Sequence, residues 1–132
     1  MYVVNVKDVE KRVLSSHGET TKYQLIFGRG SEYPVTKSIT SVWVMTVEPG
    51  GTNQPHSHED EEQVYLIKSG EGTISVGDEK RRVKEGDVIY LPPKITHAFY
   101  NDGESECVII AFGANSFYVK LISVKPASKP TT

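Results

Sequence analysis

Residues 49–70 read PGGTNQPHSHEDEEQVYLIKSG. At the centre of this stretch His56 and His58 stand one residue apart. In an extended chain, side chains at i and i+2 point to the same face, so both imidazoles can reach one point inside a barrel. Alone the pair says little, because two surface histidines would look the same. The stretch closes on QVYLIKSG (63–70), which reads as a strand. By strand alternation Gln63, Tyr65 and Ile67 share one face, and Glu62 and Val64 share the other.

Outward from this stretch the chain keeps a β rhythm. Before it, ITSVWVMTV (39–47) holds seven β-branched or aromatic residues and is closed by Pro49-Gly50-Gly51. A polar loop is expected between that turn and His56. Further upstream YVVNV (2–6) and YQLIFG (23–28) read as strands, with a polar segment between them that contains His17, expected to be exposed. Gly28-Arg29-Gly30 is no phosphate loop, since no third glycine, P-loop lysine or helical segment follows. Downstream, GEGTISVGD (70–78) and KRRV (80–83) form a hairpin, with Lys80, Arg81, Arg82 and Lys84 on a solvated face. GDVIYLPP (86–93), ITHAFYN (95–101), ECVIIAFG (106–113) and FYVKLISV (117–124) complete roughly ten short strands between turn signals. No amphipathic helix interrupts them. The pattern predicts an all-β sandwich or barrel.

Bulk properties narrow the function. The chain has 132 residues, enough for one domain and one core. The expected domain covers residues 1–124, followed by a flexible, Pro-rich tail at 125–132. A net charge of −2 gives no electrostatic case for nucleic acid or an anionic membrane as partner. The single cysteine, Cys107, rules out a disulfide framework within the chain, begins an apolar run and reads as a small buried hydrophobe. With no apolar run of membrane-spanning length and no signal-peptide pattern at the N-terminus, a cytoplasmic location is expected.

At this point the sequence resembles the cupin superfamily. Gly50 is followed by five residues, His56, His58, four residues, Gln63, six residues and Gly70. That is the spacing of the family's first motif. Gly86, Pro92, His97 and Asn101 stand at the offsets of the second. The two motifs span the core at residues 50–101. Lys94 stands where the family usually has glycine, which costs little unless φ is positive. Gln63 stands where the family usually has glutamate. A shorter gap would select Glu62 instead, but then Gly70 falls out of step, and Glu62 reads as a solvated acid.

The resemblance implies a jelly-roll β-barrel of two antiparallel sheets. It implies one divalent transition metal ion (Zn, Mn, Fe, Ni, Cu or Co) held by His56, His58, Gln63 and His97. It also implies a homodimer, often with terminal strands exchanged; residues 2–6 and 117–124 are the candidates. The expected function is a metal-dependent enzyme acting on a small polar organic substrate, as an isomerase, lyase or dioxygenase. The alternative is a non-catalytic module that binds or senses a small ligand. Tyr65, two residues from Gln63, is a candidate for proton transfer. Trp43, Met45, Tyr65 and Phe99 are expected to line the interior. A glutamine ligand keeps the full charge of the ion, where glutamate would lower it by one. The expected site is therefore a stronger Lewis acid, more open to anions, that holds its metal less tightly.

Overall fold

The computed structural model describes residues 1–14, 18–56 and 58–116, and at residues 54–56 the backbone alone. Nine strands lie within them: β1 (Thr21–Gly28), β2 (Ile39–Val47), β3 (Thr52–His56), β4 (Glu61–Ser69), β5 (Glu71–Val76), β6 (Glu79–Lys84), β7 (Val88–Leu91), β8 (His97–Tyr100) and β9 (Cys107–Asn115). They form a five-stranded sheet, ordered β1-β2-β9-β4-β7, and a four-stranded sheet, ordered β3-β8-β5-β6. Every described pairing is antiparallel. This is the jelly-roll of two antiparallel sheets that the family resemblance implies.

Alternation explains how the sheets close on each other. In β4, Gln63, Tyr65 and Ile67 are buried while their neighbours are half-buried or exposed. In β9, Cys107, Ile109 and Ala111 are buried in the same rhythm. Met45, Tyr65 and Ile109 from one sheet meet Ile74, Val83 and Phe99 from the other in a single core. Of the residues expected inside, Met45, Tyr65 and Phe99 are buried, and Trp43 packs against the core half-buried, edge-on to Tyr23 at 5.8 Å. Cys107 is fully buried, and burial pushes its thiol up to about 11, so it stays protonated at neutral pH. Lys80, Arg81, Arg82 and Lys84 are exposed as expected, with Arg82 paired to Glu71 and Asp102.

Two segments differ from the sequence reading. Residues 2–6 are not a strand. Asn5 caps a 3-10 turn, Val6–Asp8, by accepting from the Lys7 amide at 2.9 Å. Buried Gln24 then holds that turn, donating to the Val6 and Val9 carbonyls at 2.8 and 2.9 Å. The second difference is β3, which stands where a polar loop is expected. Thr52 supplies the reason. Its amide donates to Thr20 Oγ1 at 2.9 Å, and its own hydroxyl donates to the Phe99 carbonyl at 2.9 Å. Tertiary hydrogen bonds thus override a weak strand propensity. His17, the segment 117–124 and the tail 125–132 lie outside the described residues. No described helix is long and apolar enough to cross a membrane.

Candidate metal centre

The two motifs meet across β3 and β8. His56 pairs opposite His97 in the β3–β8 register, although the side chain of His56 lies outside the described residues. Between Asn53 and His56 the register slips, as in a bulge, and Pro55, which has no amide to give, sits within it. His97 is buried, 2% exposed. His58 lies just past the end of β3, so strand pairing does not place it. The Lys94 amide does, donating to the His58 carbonyl at 2.6 Å. The His58 and His97 rings come within 5.8 Å of each other, tilted by 32°. The Tyr65 ring meets His97 edge-on at 6.0 Å.

Lys94 makes that bond at φ 67°, the left-handed region. The motif glycines Gly50, Gly70 and Gly86 also sit at positive φ (77°, 87° and 90°), without the Cβ that makes such a backbone costly. The Lys94 departure therefore carries strain. Lys94→Gly is expected to raise stability by about 0.5–1 kcal/mol, the relief of a left-handed residue less the greater entropy of unfolded glycine. Urea denaturation of the two proteins checks this; an unchanged midpoint would mean the turn relaxes around lysine without strain.

Gln63 and Glu62 are divided by the sheet. Gln63 is buried, 8% exposed, and lines a half-open cavity of about 270 Å³. Glu62 faces outward and accepts from the Tyr90 hydroxyl at 2.9 Å. Gln63 Oε1 is buried and has no hydrogen-bond partner among the described residues. A buried carbonyl oxygen left without a donor is costly, and a cation is one way to satisfy it. Amide oxygen and imidazole are also suitable donor types for a first-row divalent ion. The donor types are those such an ion takes, although no group of three His, Cys, Asp or Glu side chains among the described residues is placed to hold one, and the His56 side chain lies outside them.

The cavity also holds groups that the sequence reading passed over. Tyr23 donates to Asn53 Oδ1 at 2.9 Å, and Asn53 Nδ2 donates to Tyr65 Oη at 3.3 Å. Burial pushes the Tyr65 phenol up, and neighbouring Tyr23 adds to this, so Tyr65 keeps its proton at neutral pH. Glu61 also lines the cavity. Strand alternation is the signal that finds it, since Glu61 and Gln63 are two apart. At the mouth, Glu59, Asp60 and Glu61 border a shallow depression with His58, Thr40 and Asn115. Asn101, the last residue of the second motif, lies away from the cavity and ties the end of β8 to the turn after β2.

Comparison with known proteins agrees with this architecture. The Cupin domain family matches residues 43–113, more than half of the chain. An uncharacterized protein of Methanocaldococcus jannaschii is 40% identical over 57 residues, which cover 43% of this chain and 46% of that protein. H2HPP isomerase of Bacillus subtilis is 31% identical over 80 residues, covering 60% of this chain and 34% of the enzyme. The chain thus spans less than half the length of either relative. Among solved structures, a predicted oxalate decarboxylase from Thermotoga maritima matches with a TM-score of 0.76 at 22% identity. The match covers 86% of this chain and 99% of that one, and it is a likeness of fold.

Proposed function

Since the chain belongs to the cupin family, we propose that it is a metal-dependent enzyme acting on a small polar organic molecule. His56, His58, Gln63 and His97 are the ligands in this reading. The observation that carries it is Gln63 Oε1, buried in the cavity wall without a donor among the described residues. A divalent ion bound there would act as a Lewis acid on a carbonyl, carboxylate or enediol, or activate water or dioxygen. The chain's own residues do the rest. Trp43, Met45 and Ala111 supply an apolar wall that limits water. Tyr23, Asn53 and Tyr65 form a hydrogen-bonded row that keeps its protons and orients polar atoms of the substrate. Likeness to an isomerase favours an enzyme over a passive binder, though the match covers a third of that enzyme.

The acidic mouth bears on substrate charge. Glu59, Asp60 and Glu61 oppose entry of multiply charged anions, whatever the ion inside attracts. Turnover is tested with metal-loaded protein on a panel of keto acids, uronates and catechols. Conversion of a member supports the enzyme. Tight binding across the panel without conversion would replace it with a ligand-binding cupin.

In the same reading the chain works in the cytoplasm as a homodimer. The outer face of the five-stranded sheet offers an apolar surface to a second copy. Val64 stands in register with Tyr90 and Phe112, and Val88, Tyr90 and Phe112 are 64%, 56% and 40% exposed. Light scattering is expected to give twice the chain mass, and Phe112→Asp to shift it toward the monomer. A monomeric wild type would exclude the dimer.

A further inference from the structure

We infer that Glu61 is a positioning residue for Gln63, fixing the carboxamide so that its oxygen, and not its nitrogen, faces the ion. The inference rests on the metal-centre reading above. Gln63 Nε2 donates to Glu61 Oε1 at 3.0 Å. A carboxylate can only accept, and an amide nitrogen can only donate. Glu61 therefore admits one of the two amide orientations, the one that turns Oε1 away from it. Reversal of the amide would set oxygen against oxygen at Glu61 and present N–H groups to a cation.

The carboxylate is itself held in place. Thr40 donates its hydroxyl to Glu61 Oε2 from β2. Gly113, opposite Gln63 on β9, leaves the room: a Cβ there would come within 2.7 Å of both Glu61 Oε2 and Thr40 Oγ1. His58 Nδ1 lies 3.8 Å from Glu61 Oε1, so the same carboxylate faces a second ligand. Three strands thus build one arrangement around Gln63. It also keeps a negative charge one step outside the ligand set, where a neutral glutamine has taken the place of a carboxylate. Partners of this kind set ligand orientation and typically change metal affinity 10–100-fold, about the range expected here.

The test is a double-mutant cycle read by Co²⁺ affinity, with chelator competition on the full chain. Glu61→Gln keeps the shape but lets the amide face either way. It is expected to weaken Co²⁺ binding by about 10–100-fold in the wild-type background. In the Gln63→Glu background there is no amide to orient, so adding Glu61→Gln is expected to leave affinity unchanged or raise it. Equal weakening in both backgrounds would show that Glu61 acts through charge alone and would overturn the inference. No weakening in either would overturn it too. A wild type that binds no Co²⁺ would remove the metal-centre reading itself, and this inference with it. Thermal melts of the metal-free proteins separate folding from binding. If Glu61→Gln does not fold, Thr40→Val loosens the same carboxylate, and a loss of several-fold is expected there, again confined to the Gln63 background.

Discussion

Replacing His97 with alanine is expected to weaken divalent-metal binding by about a hundred- to a thousandfold. Structural zinc sites bind with roughly 10–16 kcal/mol; on that scale one ligand of four carries about 3 kcal/mol, and each 1.4 kcal/mol is tenfold. Among the proposed ligands whose side chains are described, His97 has the least freedom to be replaced. It is 2% exposed, set on β8 opposite His56, and held against the edge of Tyr65. Chelator competition on the variant measures the effect, with circular dichroism to show that the barrel is intact. Unchanged affinity would make His97 a core histidine packed on Tyr65, and nothing more.

The second large effect is on folding. Asn101→Ala is expected to cost about 3 kcal/mol, because buried polar groups left without partners cost about 1–3 kcal/mol each. Asn101 is 1% exposed and all its side-chain bonds are made. Nδ2 donates to the Val47 and Ser105 carbonyls, both at 2.9 Å, and Oδ1 accepts from the Gly103 amide at 3.0 Å. Its backbone completes the junction: the Gly50 amide donates to the Asn101 carbonyl at 2.8 Å, and the Asn101 amide donates to the Gly51 carbonyl at 2.9 Å. The first residue of one motif is thus tied to the last residue of the other. Alanine would strand two carbonyls and an amide at that tie. Urea denaturation of metal-free protein measures the loss. A change below about 1 kcal/mol would mean that water reaches the junction and replaces the bonds.

Much of this was legible in the sequence, for reasons that differ from residue to residue. Gln63 and Glu62 could be separated because a strand has period two and one face of β4 is buried. The motif spacing located His97, because it counts residues along strands whose register is fixed by the barrel. β3 was not legible. TNQPH has no apolar alternation, and it pairs because Thr20, Thr21 and Thr52 exchange hydrogen bonds across a sequence gap that no local pattern shows. Residues 2–6 misled for the opposite reason. Their valines suit a strand, but Asn5 competes for the Lys7 amide and starts a turn. Glu61 was within reach of the same alternation that placed Gln63. Four acids in a row look like solvated surface, and only the cavity shows that one of them turns inward.

The metal centre is the claim on which the functional reading stands. Elemental analysis of protein purified without added metal, followed by titration with Zn²⁺, Mn²⁺, Fe²⁺, Ni²⁺, Cu²⁺ and Co²⁺, tests it most directly. About one tightly held transition-metal ion per chain is expected, lost together with His97. A folded protein that carries none and binds none of the six would contradict it.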